Sequence, residues 1–181
     1  MIYMILKIIA GTVAALALFL AFVAQKSGKF RYERSTVIQV APEQIFLYIS
    51  NFKLGKLWNP YSQKDPNMKT NFKGSDAQVG SVMEFDGNRE AGSGKLEVLR
   101  LVPNRAVAIK LNMTSPFRAE NLVEYRLTPE GAGTRFSWAM SGDGGFMGKL
   151  VSTLIDSEKM VAGDFETGIA NLKTLAESEK K

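Results

Sequence analysis

The sequence contains no histidine and no cysteine. A chain without them lacks the commonest general base, the thiolate nucleophile and most ligand sets for transition metals. Carboxylates alone can hold a metal, but the nearest cluster, Asp65 with Asp76, lacks the spacing of a calcium loop. A disulfide framework is excluded, while a cysteine-free chain fits the cytoplasm and the periplasm equally. We therefore predict no metal, no cofactor and no recognisable catalytic constellation.

Charge is nearly absent from the first two dozen residues, where Lys7 is the only charged side chain. The apolar run 8–24 would rise about 25 Å as a helix. Adding residues 2–6, with Lys7 reaching toward headgroups, gives the length of a hydrocarbon core of about 30 Å. The run is apolar on every face, which argues against a buried core helix. We predict a single-pass transmembrane anchor over residues 1–25, in an inner or plasma membrane.

A cleaved secretory signal is the alternative reading of this segment. The order of Lys7 and the apolar stretch is typical of such a signal. Cleavage after Ala24, however, would place bulky Phe22 where a small residue is needed. Cleavage after Val23 would leave a branched residue at the scissile bond. We therefore prefer the uncleaved anchor.

Basic residues follow the anchor: Lys26, Lys29, Arg31 and Arg34. Positive residues favour the cytoplasmic side, so this bias favours a cytoplasmic domain. The net charge of +5 is modest, and the cluster suits anionic headgroups better than nucleic acid. We predict a basic juxtamembrane linker at 26–34, one domain at 35–178, and no nucleic-acid partner.

The rest of the chain alternates between two hydrophobic periods. Residues 35–40 alternate as a strand, and Pro42 is typical of the first turn of a helix. Residues 68–141 contain short alternating segments separated by turns, which predicts an antiparallel sheet. From Met147 to Leu172 apolar residues recur with the period of a helix, which predicts one long carboxy-terminal helix with a bend at Gly163 or Gly168. The fold class is therefore α+β, with the last helix covering the sheet.

A glycine-rich stretch at 87–94 ends before Lys95 and invites a phosphate-loop interpretation. Arg89 stands where the leading glycine of that motif belongs, and Leu96 replaces the Ser or Thr after the lysine. Since strands are predicted on both sides, the stretch is better explained as a hairpin turn.

Seven segments together resemble the START-like, or SRPBCC, superfamily, and within it the bacterial polyketide cyclase/dehydrase and lipid transport group. The resemblance covers nearly all of residues 35–175. It rests on residues 40–46, 57–60, 65–68, 120–125, 133–138, 146–150 and 164–172. It implies the helix-grip (Bet v 1/START-like) fold, in which a curved antiparallel sheet wraps a long carboxy-terminal helix around an apolar cavity. Members of the superfamily include carriers of sterols, lipids and plant hormones, and aromatic-polyketide cyclases.

The implied cavity directs attention to apolar and aromatic side chains, because methionine and aromatic residues suit an adaptable pocket. Glu124 has two readings: an interior carboxylate with a raised pKa, or an outward one paired with an arginine such as Arg126. The candidate cavity residues are Trp58, Tyr61, Phe85, Glu124, Phe136, Trp138, Met140, Leu154, Val161 and Phe165.

Three functional hypotheses follow. The leading one is a membrane-anchored domain that binds or transports a hydrophobic, lipid-like small molecule. The second is a polyketide cyclase/dehydratase-like enzyme, which needs a carboxylate, tyrosine or arginine in the cavity, with Tyr61, Glu124 and Tyr125 as the candidates. The third is a non-catalytic interaction domain, for which the interior would be filled by side chains.

Overall fold

The structure, a computed structural model, describes residues 1–155 and 157–179. These residues form six helices and seven strands. The helices are α1 (Ile2–Gln25), α2 (Pro42–Ser50), α3 (Phe52–Gly55), α4 (Pro60–Lys64), α5 (Gly145–Leu154) and α6 (Ser157–Ser178). The strands are β1 (Lys29–Ile38), β2 (Lys69–Lys73), β3 (Val82–Asp86), β4 (Ser93–Val102), β5 (Ala106–Ser115), β6 (Ala119–Glu130) and β7 (Gly133–Asp143).

All seven strands form one curved antiparallel sheet in the order β1-β7-β6-β5-β4-β3-β2. Strands β2 to β7 follow one another as a meander, and β1 forms the edge beside β7. Helix α6 packs against the inner face of the sheet through Phe165, Ile169 and Leu172, which are all buried. The predicted helix-grip architecture is confirmed.

The strand register brings several features to one end of the sheet. Lys29 pairs with Asp143, Asn121 with Gly142, and Ser93 with Ser115. This end, which we call the proximal end, therefore holds the start of β1, the end of β7, and the turns 87–92 and 116–118. Helix α1 ends at Gln25, so only residues 26–28 separate it from the proximal end.

Strand β1 begins earlier than the sequence predicts. Residues 29–34, expected to be a linker, are the first part of β1 and pair with β7. Phe30 and Tyr32 are half-buried while Lys29, Arg31 and Glu33 are exposed. The alternation was present in the sequence, but the charged residues of the exposed face made the segment resemble a linker.

The single long carboxy-terminal helix predicted from Met147 to Leu172 is wrong in one respect: α5 and α6 are separate helices. Ile155, which follows α5, has an extended backbone with φ −132° and ψ 139°. The helical period continues across this interruption, so periodicity alone could not locate it. Helix α6 runs unbroken through Gly163 and Gly168.

Helix α1 is the one helix among the described residues that is long and apolar enough to cross a membrane. Its most apolar window has a mean hydropathy of 2.4, and none of that window is buried against the rest of the protein. Within the helix only Val23 is buried.

Gly168 allows α6 to approach the sheet closely. A Cβ at this position would lie 2.6 Å from a ring carbon of Trp138 and 2.8 Å from Cδ of Pro60. Gly163, one and a half turns earlier in the same helix, has nothing within 4 Å of the equivalent point. Alanine substitutions at the two positions therefore distinguish the effect of overpacking at Gly168 from the general gain in helix propensity that alanine gives.

We expect Gly168→Ala to destabilise the protein by about 1 to 3 kcal/mol, because the methyl group overpacks the contact with Trp138 and Pro60. The matched control Gly163→Ala should raise stability by about 0.5 to 1 kcal/mol. Urea unfolding in mild detergent measures both. Equal effects of the two variants would contradict the close approach at Gly168.

Candidate ligand-binding site

A cavity of about 490 Å³ lies between the inner face of the sheet and helices α4 and α6. Strands β3 to β7 contribute apolar side chains, because the inward residues of each strand alternate with outward ones. They include Met83, Phe85, Leu111, Val123 and Met140. The volume is within the range of small-molecule sites, which measure about 300 to 1,000 Å³.

An aromatic cluster closes one side of the cavity. It consists of Trp58, Tyr125, Phe136, Trp138 and Phe165, and all five side chains are buried. Trp138 stacks on Phe165 with ring centroids 4.3 Å apart and meets Trp58 edge-on at 5.3 Å. Trp58 Nε1 donates to the carbonyl oxygen of Tyr48 at 3.3 Å, so its ring is held in one orientation. Tyr125, Trp138 and Phe165 are the members of this cluster that line the cavity.

A polar cluster lies where α4 meets α6. Lys64 Nζ donates to Asp164 Oδ1 at 2.6 Å and lies 5.0 Å from the ring centroid of Tyr61. The Tyr61 phenol lies close enough to the Asp164 carboxylate to be affected by its charge. All three residues line the cavity. Burial and the neighbouring Asp164 carboxylate raise the pKa of Tyr61, so its phenol stays protonated and can donate a hydrogen bond.

Tyr125 brings a second phenol to the cavity wall. Burial raises its pKa well above the ordinary value of 10. Its hydroxyl makes no hydrogen bond within residues 1–155 and 157–179 as the structure describes them. The Trp138 indole nitrogen likewise finds no acceptor there, and it is enclosed rather than open to the cavity. Tyr125 therefore offers a free donor to a ligand oxygen, whereas Trp138 offers an apolar ring surface.

The cavity opens at the proximal end. Three lining residues are exposed: Arg89 and Glu90 in the turn between β3 and β4, and Pro116 in the turn between β5 and β6. Asp65 fixes the first turn, since Asp65 Oδ2 accepts from the backbone N–H of Asn88 at 2.7 Å. The glycine-rich stretch is a hairpin turn, as predicted, and it forms one edge of the opening.

Six of the ten predicted cavity residues line the cavity. They are Tyr61, Phe85, Trp138, Met140, Val161 and Phe165. Trp58 and Phe136 lie behind them, fully buried in the aromatic cluster.

Glu124 and Leu154 lie elsewhere. Glu124 points to the outer face of the sheet, where Arg31 Nη1 donates to Glu124 Oε2 at 2.7 Å and Arg126 donates to its other oxygen. The Arg31 hydrogen bond holds the pKa of Glu124 below its usual range, opposite to what an interior acid would have. Leu154 is 67% exposed at the end of α5, because the chain leaves the helical path at Ile155.

Sequence reasoning missed Lys64 and Asp164. Asp164 stands beside Phe165 in α6, among charges that periodicity assigns to solvent, and Lys64 lies 100 residues away. The sequence feature that could have identified Asp164 is its spacing, since it falls one helical turn after the candidate cavity residue Val161. Two further carboxylates on the strands form ion pairs: Glu84 with Lys73, and Glu97 with Lys95 at 2.9 Å.

The described residues contain no group of three or more His, Cys, Asp or Glu side chains that could hold a metal ion. Asp65 and Asp76, the pair weighed from the sequence, have separate partners. Asp76 accepts from Lys53 Nζ at 2.9 Å, while Asp65 binds backbone N–H groups of Asn67 and Asn88.

Comparison with known proteins gives a family and a fold. The family model described as polyketide cyclase / dehydrase and lipid transport matches residues 29–177. No curated protein matches the sequence.

Several solved structures share the fold. Protein MLL2253 from Mesorhizobium loti has a TM-score of 0.62 and 19% identity, with 83% of this chain and 98% of that chain covered. Protein CV1439 from Chromobacterium violaceum has a TM-score of 0.57 and 17% identity, with 83% and 97% covered. Ara h 8.0201 has a TM-score of 0.60 and 11% identity, with 83% and 99% covered. At these identities the likeness concerns the fold.

The raised pKa values predict an unusual alkaline titration. Tyr61 and Tyr125 should not ionise near pH 10, and Tyr48 should ionise only near its raised pKa of about 12. Since these folded-state values exceed the unfolded one, their contribution to stability is complete below about pH 10 and falls as the pH rises above it.

The near-ultraviolet absorbance of phenolate checks this expectation. Tyr61→Phe and Tyr125→Phe should leave the titration curve unchanged up to about pH 10. Each should also reduce the loss of unfolding free energy at higher pH. If either variant shows less phenolate absorbance near pH 10 than the wild type, the phenol that it lacks is accessible to water and ionises normally.

Proposed function

The chain belongs to the polyketide cyclase/dehydrase and lipid transport family, and from that premise we propose that it is a membrane-anchored domain that binds a hydrophobic, lipid-like small molecule. The observation that carries this proposal is the cavity of about 490 Å³ with its wall of apolar and aromatic side chains. An apolar ligand that leaves water for such a site gains about 25 cal/mol per Å² buried.

The polar cluster refines the class of ligand. Tyr61, Lys64 and Asp164 form one polar edge of a mostly apolar cavity, and the Tyr125 phenol offers a further donor. Buried donors favour a ligand that brings an acceptor to them, since an unpaired polar group costs about 1 to 3 kcal/mol. We therefore propose an amphipathic ligand with a long apolar part and an oxygen-bearing end.

Two features support attachment to a membrane through α1. The helix is 24 residues long and exposes apolar side chains all round. It also joins the domain at the proximal end, where the cavity opens. The proposed organisation is an anchor at residues 1–25, followed after residues 26–28 by a domain that starts with β1. The basic residues after the anchor favour a cytoplasmic domain.

The second candidate function is an enzyme of the cyclase or dehydratase kind. The observation in its favour is the set of ionisable side chains on the cavity wall, which the enzyme hypothesis requires. A neutral phenol such as Tyr125 could donate to a substrate carbonyl in an apolar site. The interaction-domain hypothesis receives no such support, because it expects an interior filled by side chains.

Filling the cavity should weaken ligand binding. Val123 is buried on the inner face of β6 and lines the cavity, so the ring of Val123→Phe would enter the open space. We expect affinity for an apolar fluorescent probe, and the amount of extractable lipid, to fall about tenfold or more, equivalent to about 1.4 kcal/mol.

Val79→Phe is the matched control, because Val79 is 62% exposed and lies outside the cavity. A Val123→Phe variant that keeps its melting temperature and binds probe and lipid like the wild type would refute the cavity as the binding site. Bound compound that is chemically altered on incubation would favour the enzyme instead.

The anchor has its own test. Membranes from cells that produce the full chain should retain the protein after alkaline carbonate extraction, and mass spectrometry should find residues 2–25 in it. A membrane-free protein whose sequence begins at Gln25 would instead identify this segment as a cleaved signal.

A further inference from the structure

Helix α5 is an apolar helix with no buried residue. Five of its ten residues, Phe146, Met147, Leu150, Val151 and Leu154, are apolar and recur at helical spacing on one side, while glycine, lysine, serine and threonine occupy the other. Phe146, Met147 and Leu154 are 45%, 56% and 67% exposed, and Ile155 directly after the helix is 55% exposed. Clustered exposure of this kind is uncommon in soluble proteins and marks a contact surface.

The position of α5 identifies what this surface meets. Helix α5 packs beside the last turns of α1, and Val23 of α1 is fully buried there. Lys149 Nζ donates to the carbonyl oxygen of Ala24 at 2.9 Å, and the N–H of Gly144 donates to the carbonyl oxygen of Gly28. If α1 crosses a bilayer, the surface of that bilayer lies near residues 24–26, where the apolar run gives way to Lys26. Helix α5 therefore lies at the same level.

A second apolar side chain lies at the same end of the domain. Phe117, in the turn between β5 and β6, is 66% exposed, and the exposed Arg118 follows it. The proximal end thus offers aromatic and aliphatic side chains together with Lys26, Lys29 and Arg118. This combination is typical of surfaces that enter the interface of a membrane with anionic headgroups.

We propose that α5 is an interfacial helix whose apolar side enters the headgroup region of the bilayer, with Phe117 as a second point of contact. The proposal rests on the membrane anchoring proposed for α1. It commits to the lipid bilayer as the occupant of this surface, because the surface is continuous with the end of the membrane-spanning helix. Its consequence is that the opening of the cavity faces the bilayer surface.

The natural absence of cysteine allows a direct test with the full chain. Single variants Leu16→Cys, Met147→Cys, Leu154→Cys and Ser152→Cys each accept one nitroxide label, and all four positions are exposed, so folding is preserved. The labelled proteins are reconstituted in vesicles of phosphatidylcholine and phosphatidylglycerol. Accessibility of each nitroxide to oxygen and to a water-soluble nickel chelate then gives its depth.

We expect the Leu16 label to lie deep in the bilayer and the Met147 and Leu154 labels to lie in the interface. Both should show at least a fivefold higher ratio of oxygen to nickel accessibility than the label at Ser152, on the polar side of α5. Labels at 147 and 154 that match the label at 152, while Leu16 stays deep, would overturn this proposal and leave the anchor intact. Spin–spin broadening at 147 that persists in detergent would overturn it in favour of a second copy of the chain. A water-accessible Leu16 label would overturn the anchor, and this proposal with it.

Discussion

The sheet is wider than one helix can cover, and the rest of the structure depends on that mismatch. Seven strands about 4.8 Å apart span about 29 Å, whereas a helix with its side chains is about 10 Å wide. Helix α6 packs on β1 and β7, which leaves the inner face of the middle strands without a long helix above it. Helices α2 and α4 and the aromatic cluster around Trp58 cover part of this area. The uncovered remainder is the cavity.

Because one helix covers only part of the sheet, the sequence could predict which residues face inward but not which of them line the cavity. Phe136, Trp138 and Met140 occupy every second position of β7, and because successive side chains of a strand point to opposite faces, the sequence is enough to predict that all three share one face. It could not decide which of the three would line the cavity, since that depends on how α6 lies across the sheet. The prediction that Leu154 lines the cavity was wrong for a related reason. The helical period of the sequence continues past Ile155, although the helix itself is interrupted there. Local periodicity therefore predicts which residues share a face of a helix or strand, whereas long-range packing determines what that face contacts.

The polar cluster was beyond sequence reasoning because its parts come from distant segments. Lys64 ends α4, Asp164 lies in the first half of α6, and the two helices approach closely where Pro60 packs against Gly168. A larger residue at 168 would separate the helices and with them the ion pair. The same close contact that stabilises the fold therefore positions the polar edge of the cavity. The Lys64–Asp164 ion pair is charge-assisted and partly sheltered from water, and Tyr61 lies beside both residues.

The proposed anchoring would affect the rate of ligand exchange more than the affinity. The gain of about 25 cal/mol per Å² applies to a ligand that leaves water, but a lipid-like ligand starts in the bilayer, which is already apolar. Its transfer into the cavity exchanges one apolar environment for another, so burial contributes little net free energy. Selectivity must then come from the shape of the cavity and from the donors of Tyr61, Lys64 and Tyr125. The proposed membrane-facing opening would remove the passage through water, in which the full cost of exposing the apolar chain would appear as a kinetic barrier.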